Sequence, residues 1–408
     1  VLIRAVHRYF WPDSPPYATF LREMTRDWAS RGHDVAVVAG RSTNHPAPAS
    51  ADVPVRRVPV MREAGRPAGQ LANMVVFPVG VAAALLRGPR PDVVMCSTAP
   101  QVTLGALVSR IARLRGASFV YHCMDLHPEI GRLSGEFANP LVYRLLRRAD
   151  TATMRRAARV VVLSADMRDA VVDRDPALAD KVVVLNNFAM PDDGVVGESP
   201  LPAPAPGVLR VVFTGNIGRF QSLPDLLRAL GRLPSGAEVE LVFMGDGRAR
   251  SELADIAAGL PASVRARVRF LPAGTSAQAK ALMRSAHLGV VSLAPLVARF
   301  AYPSKTATYC EQGLPVLVVC DPGTELASTV VSERLGWTAA PGDVEAIAAA
   351  LAAALSEMSE RSLSIRQERV REFHQRTFDQ AGALTRWAEL MDGLAAERSA
   401  DAGRGRDA

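Results

Sequence analysis

Cysteine is scarce in this chain of 408 residues, and the four present, Cys96, Cys123, Cys310 and Cys320, show no CxxC spacing. That argues against a disulfide scaffold or a thiolate zinc site and predicts reduced core thiols. Aromatic residues make up only 6% of the chain. None interleaves the tightest basic cluster, Arg144, Arg147, Arg148, Arg155, Arg156 and Arg159, as a single-strand nucleic-acid surface requires, so nucleic acid is not an expected partner. A solvated helix face or a lipid-phosphate patch both fit the cluster. Long apolar runs are also missing. The longest, Met74 to Leu86, holds Pro78 and Gly80 and falls short of the ~20 residues that span a bilayer, which leaves a buried or an interfacial helix. The opening Val1 to Val6 is short and interrupted by Arg4, unlike a secretory leader. Together these absences predict a cytoplasmic protein, with peripheral contact at the inner membrane face left open.

Several chemical signatures are absent as well. There is no GxxxxGK[ST], HExxH or GxSxG, and no set of metal ligands is legible. Gly245-Asp246-Gly247 continues as Arg248-Ala249-Arg250 without a third glycine, and the first loop, His7 to Tyr17, has no glycine, so a dinucleotide cofactor is not expected.

What is present is a long chain with 49% hydrophobic and 22% charged residues and a net charge of +7. That length exceeds what one core organises, so two domains are expected, and the charge suits an anionic partner. Apolar strands alternate with amphipathic helices from Leu2 onward, the first helix covering about Tyr17 to Arg31. Further strands are expected at Val35 to Ala39, Asp92 to Cys96, Ala117 to His122, Arg159 to Leu163 and Lys181 to Leu185. The rhythm restarts at Leu209, with strands at Val239 to Met244, Val268 to Leu271 and Leu288 to Ser292. This is the pattern of α/β domains with doubly wound parallel sheets, whose ligands bind at the carboxyl ends of the strands. The expected domains are residues 1–189, a Pro/Ala-rich linker at 190–207, a second domain at 208–372, a C-terminal helix at 373–395 and a disordered tail at 396–408.

Pro303-Ser304-Lys305-Thr306 reads as a helix start carrying a positive charge, with Gly313 ending the helix and Pro315 leading into an apolar strand. Such a turn can hold phosphate, and it equally fits an ordinary αβ connection with a solvated lysine. Two other strands open into Thr214-Gly215-Asn216-Ile217-Gly218-Arg219-Phe220-Gln221 and Gly245-Asp246-Gly247, where glycine admits close ligand approach or merely serves a turn. In the first half, strand Ala117 to Tyr121 opens into His122-Cys123-Met124-Asp125-Leu126-His127-Pro128-Glu129. Its two imidazoles and two carboxylates can hold a sugar hydroxyl or move a proton, and one of them can simply cap the next helix.

With these residues in hand, the chain resembles the GT-B glycosyltransferases, and within them the large retaining glycosyltransferase family 4. His7-Arg8-Tyr9-Phe10-Trp11-Pro12 is similar to that family's Tyr-Phe-x-Pro loop, followed by Gly32-His33-Asp34-Val35. Pro91-Asp92-Val93-Val94 and Ser97-Thr98-Ala99-Pro100 resemble its next strand and loop, and Asp125 to Glu129 its Asp-x-Trp-Pro-Glu segment. Val183-Val184-Leu185-Asn186-Asn187 is similar to the strand before the interdomain linker. Thr214 to Gly218, Gly245 to Gly247, and Pro303-Ser304-Lys305 through Gly313-x-Pro315 resemble the donor loops.

The resemblance implies two Rossmann-like domains facing a central cleft, with the C-terminal helix packing back toward the N-terminal domain. It implies transfer from a nucleoside diphosphate sugar, UDP-linked, to a glycan, lipid-linked or small-molecule acceptor, with no cofactor and no metal. The Asn-Ile-Gly form resembles the subgroup that builds bacterial surface polysaccharides, with a hexosyl or N-acetylhexosaminyl donor. Lys305, Asp125 and His122 would be catalytic. The donor side would comprise Gly215, Asn216, Gly218, Arg219, Gly245, Asp246, Ser304, Lys305, Thr306, Thr308 and Glu311. The acceptor side would comprise Tyr9, Trp11, Pro12, Tyr17, His127 and Glu129. The chain departs from the family where two glutamates are usual, having Phe300 and Thr308, and has Asn216 and Gln221 in place of Arg and Lys. Met124-Asp125 replaces the frequent His-Asp pair. A GT-B epimerase and a non-catalytic binding homologue are the alternatives this leaves.

Overall fold

The computed structural model describes residues 1–13, 16–41, 52–61, 67–189, 197–218, 220–360 and 362–404. The chain divides into two compact units, Val1–Asn187 with Ala381–Ala408, and Phe188–Gln380.

Unit 1 runs β1 (Leu2–His7), α1 (Pro16–Ser30), β2 (Asp34–Gly40), β3 (Val55–Val58), α2 (Pro67–Arg87), β4 (Val93–Ser97), α3 (Thr103–Leu114) and β5 (Ser118–His122). It continues with α4 (Glu129–Leu133), α5 (Pro140–Arg156), β6 (Arg159–Val162), α6 (Ala165–Arg174) and β7 (Val182–Val184). The seven strands form one sheet in the order β3-β2-β1-β4-β5-β6-β7, all parallel. Strands such as Val93-Val94-Met95-Cys96-Ser97 are buried at every position, as a sheet covered on both faces demands. Strand order reverses beside β1, so the loops after β1 and β4 flank the crevice where this topology holds ligands. The edge strand β3, Val55-Arg56-Arg57-Val58, carries charge and alternates weakly, which is why the apolar rhythm alone does not reveal it.

Unit 2 runs β8 (Leu209–Thr214), α7 (Leu223–Leu230), β9 (Val239–Met244), α8 (Arg250–Ala258), α9 (Ala262–Arg265), β10 (Val268–Leu271), α10 (Ser276–Arg284) and β11 (Leu288–Ser292). Then come α11 (Lys305–Glu311), β12 (Val316–Val319), α12 (Glu325–Ser332), β13 (Gly336–Ala339), α13 (Val344–Ser359) and α14 (Leu363–Thr377). Its six strands follow the order β10-β9-β8-β11-β12-β13, again all parallel. Phe213, Leu226, Leu230, Phe243, Leu288 and Leu351 belong to its core. Both units are therefore Rossmann-like, as the alternation of elements predicts.

The final helix, α15 (Gln380–Arg404), belongs to unit 1. Trp387 packs against Trp28 and against the His122 ring, whose centroid is 4.8 Å away. This bears out a C-terminal helix returning to the N-terminal domain, with two corrections. The expected helix at 373–395 is two helices, because Phe378 leaves helical geometry and buries its ring edge-on against Phe373. The expected disordered tail is helical as far as Arg404. Glu397 pairs with Arg159, and Arg398 donates to the carbonyls of Pro91 (3.0 Å) and Asp92 (2.9 Å), which fixes that segment on unit 1. Residues 405–408, and 190–196 of the expected linker, lie outside the described residues.

Candidate functional site

In unit 2 the decisive element is α11, stopped at Gly313 in the left-handed region (φ 65°). Lys305 and Tyr309, one turn apart, reach the same neighbour, β8. Tyr309 Oη accepts from the Thr214 backbone N–H at 3.0 Å. Gly289 makes room for that ring, since a Cβ there would stand 2.8 Å from it. Lys305 Nζ lies 3.4 Å from the centroid of the Phe213 ring and is buried without a hydrogen-bond partner. Burial pushes its pKa from 10.5 down to about 7. Thr306 Oγ1 and Ser292 Oγ are likewise buried and unpartnered. Buried polar atoms are ordinarily paired, so this orphaned group beside the carboxyl end of β8 is a candidate anion site.

The loops after β8 and β9 are stitched together by main chain alone. Gly215 N–H donates to Met244 O (2.9 Å), Ile217 N–H to Asp246 O (2.8 Å), and Ala249 N–H to Ile217 O (3.1 Å). Gly245 (φ 150°) has no room for a side chain, because a Cβ would fall 1.9 Å from Gly215 O. Gly215, Asn216 and Asp246 are exposed at the rim of this platform, and Gly218 is buried, its N–H bonded to Gln221 Oε1 at 3.0 Å. Ser304 is exposed and makes no side-chain cap on α11. Thr308 is half-buried. Glu311 is not free for a ligand: it is ion-paired with the buried Lys280 at 2.9 Å. Arg219 lies outside the described residues.

In unit 1 the loops after β1, β4 and β5 each carry a cis proline, Trp11-Pro12, Ala99-Pro100 and His127-Pro128. His7 is hydrogen-bonded through Nδ1 to Ser97 Oγ, and Tyr17 Oη to His122 Nδ1 at 2.8 Å. The His7 and Tyr17 rings stand 4.3 Å apart. His122 is fully buried, and desolvation lowers its pKa to about 3, so it is a neutral support behind Tyr17. His7 and His127 are held neutral in the same way, His127 also by the field of Arg174. Asp125 is half-buried, and desolvation raises its carboxyl to about 6. Among the described residues it forms no ion pair.

Tyr9 and Trp11 are half-buried at the mouth of the β1 loop. That loop is pinned by a residue the sequence reading passed over. Arg57 of β3 donates to the carbonyls of Phe10 (3.2 Å), Trp11 (2.9 Å) and Gly40 (2.9 Å) and pairs with Asp13 (3.2 Å). Glu129, expected on the acceptor side, is instead committed to a buried network. It pairs with Arg174 and with Arg147 (3.2 Å), while Arg174 pairs with Asp150 at 2.7 Å, and Asp150 accepts from Tyr121 Oη at 2.8 Å. The sequence distance from Glu129 to its partners hides that role. No group of three or more His, Cys, Asp or Glu is arranged to hold a metal ion among the described residues.

Comparison with known proteins adds the family. Residues 17–187 match the glycosyl transferase 4-like domain, and residues 209–357 match the glycosyl transferases group 1 domain. Sucrose-phosphate synthase from Thermosynechococcus elongatus superposes with a TM-score of 0.71 at 16% identity, over 97% of this chain and 99% of that one. HepE from Anabaena, solved in complex with UDP, gives 0.69 at 15% identity, over 96% and 100% of the two chains. WaaG, a glycosyltransferase involved in lipopolysaccharide biosynthesis, gives 0.67 at 18% identity, over 95% and 99%.

The chain belongs to the GT-B glycosyltransferases.

No curated protein matches it in sequence. In this glycosyltransferase the first family domain holds the cis-proline loops after β4 and β5, and the second holds Lys305. Phe213 and Tyr309, which seat Lys305 and its helix, escaped the sequence reading. The usable signal was the spacing of four between Lys305 and Tyr309.

Proposed function

We propose that this glycosyltransferase is a retaining, metal-independent enzyme. It moves a hexosyl or N-acetylhexosaminyl group from a UDP-sugar to a glycan, lipid-linked or small-molecule acceptor, in cell-surface polysaccharide or glycoconjugate assembly. The observation that carries the reading is the Lys305 ammonium, buried beside Phe213 with no anion to balance it. HepE, similar over its whole length, was solved with UDP and with UDP-glucose, which supports a nucleotide sugar here.

In this reading the diphosphate takes Lys305 Nζ as counter-ion, and the platform of Gly215, Asn216, Gly245 and Asp246 lines the nucleoside side. As the bond from the anomeric carbon to the diphosphate oxygen breaks, its electron pair leaves with the diphosphate. Lys305 stabilises that growing charge in a desolvated setting where one cation is worth more than in water. The acceptor oxygen bonds the same face of the anomeric carbon, and its proton passes to a departing phosphate oxygen. Asp125 and Tyr17 orient the acceptor hydroxyl, with His122 fixing Tyr17 from behind. Neither Asp125 nor Tyr17 has to carry charge onto the sugar.

Lys305→Ala is expected to abolish donor turnover and to weaken UDP binding while leaving the circular-dichroism spectrum unchanged. Full turnover in that variant defeats the assignment.

A further inference from the structure

Helices α2, α3 and α5 pack in sequence on unit 1, and the outer side of α3 and α5 has an unusual composition. Leu141 and Leu145 of α5 are 69% and 68% exposed, and Val142 is exposed beside them. Arg144 and Arg148 are exposed on the same helix. Positions 141, 144, 145 and 148 recur at helical spacing, so leucine and arginine share one stripe. On α3, Arg110, Arg113 and Leu114 are exposed. Arg156 of α5 donates to Ser109 Oγ of α3 at 3.3 Å, and burial together with the like charges of Arg110 and Arg113 lowers its pKa, so the two helices bring basic groups together.

Neither helix supplies an exposed carboxylate to balance them. Helix α3 contains no acidic residue. The single carboxylate of α5, Asp150, is buried and paired with Arg174. Among the described residues, Arg110, Arg113, Arg144, Arg148 and Arg156 form no ion pair. A face that leaves large aliphatic side chains bare and arginines uncompensated needs a partner that is both oily and anionic. A polyanion such as nucleic acid would meet the arginines and leave the leucines in water.

We propose that the α3–α5 face seats unit 1 on an anionic lipid bilayer. Arg110, Arg113, Arg144 and Arg148 meet headgroup phosphates, while Leu141, Val142 and Leu145 enter the boundary between headgroups and acyl chains. With 17 residues, α5 is about 25 Å long and lies in the plane of that boundary. The seat stands independently of the transfer reading. If that reading holds too, the seat favours the lipid-linked acceptor, because α4 and α5 directly follow the Asp125–Glu129 loop.

The test is flotation of the full chain with vesicles of phosphatidylcholine alone and of phosphatidylcholine with about 30 mol% phosphatidylglycerol, at low and high salt. Flotation is expected only with the anionic vesicles and only at low salt. Each arginine is worth about a fivefold change in partition, so Arg144→Gln with Arg148→Gln lowers partition about 25-fold. Leu141→Gln with Leu145→Gln is also expected to lower it, with the melting temperature of both exposed-site variants unchanged. Absence of flotation, equal flotation with neutral vesicles, or full binding by the leucine variant overturns the seat. None of these outcomes touches donor turnover in solution, which tests the transfer reading separately.

Discussion

Binding of UDP should draw a proton from solution, and the structure sets how much. Burial beside Phe213 holds Lys305 at a pKa of about 7 in the free protein. A diphosphate against the ammonium restores the charged form. At pH 7 about half a proton is then taken up per UDP bound, and at pH 8 about 0.9, because the free protein is mostly neutral there. The affinity falls about tenfold per pH unit above 7, or about 1.4 kcal/mol. Calorimetric titration of UDP in Tris and in HEPES, whose ionisation heats differ, reads the proton count directly. Working above pH 7 keeps clear of the terminal phosphate, whose own ionisation lies near ~6. Lys305→Met should abolish the uptake together with most of the binding. Lys305→Arg should bind with no uptake, since a guanidinium stays charged. The linkage has a sign for folding as well. A lysine whose native pKa lies below 10.5 binds fewer protons folded than unfolded, so the free protein gains stability as pH rises from about 7 towards 10.5. UDP should flatten that slope. Zero uptake at pH 8, or equal uptake in Lys305→Met, refutes the account.

Three further outcomes follow from the same geometry. Asp125, with its carboxyl raised to about 6, should impose an acid limb on kcat/KM that falls tenfold per pH unit below about 6; Asp125→Asn should remove the limb, and an unchanged profile would exclude Asp125 from the reaction. Arg174→Ala strands Asp150 and Glu129 in the interior and should destabilise unit 1 by roughly 3–5 kcal/mol in urea unfolding, whereas a loss under about 1 kcal/mol would show the network to be dispensable. Gly245→Ala forces a Cβ into Gly215 O and should cost roughly 1–3 kcal/mol of stability while weakening UDP binding, and wild-type binding in that variant would mean the two loops are not the platform described.

Placement set by local pattern was legible from the sequence. Asp125 and His127 sit in one loop after β5, and Lys305 opens the helix that Gly313 closes, so the local pattern exposes them. Residues that act at a distance were not. Arg57 reaches back to Phe10 and Trp11, and Tyr309 to Thr214, and no periodicity encodes such pairings. Glu129 and Glu311 illustrate the converse: each looks like a free carboxylate in its motif, and each is consumed by a basic residue from another helix. Two of the four edge strands, β3 and β13, were missed for a related reason. In β13, Gly336 opens the strand because a Cβ there would strike Val316 O at 1.8 Å, so the residue that permits pairing is the one that weakens the strand signal.

The stitching of the β8 and β9 loops bears on how this enzyme's specificity can change. Between the loops the frame consists of peptide groups and of glycines that cannot accept a Cβ; at the rim, Asp246 adds only a bond from the Gly247 N–H (2.8 Å) within its own loop. The rim positions are free to drift. Under the proposed transfer, a lineage could exchange one nucleoside for another by altering rim side chains one at a time, each intermediate still folded and still able to hold a diphosphate at Lys305.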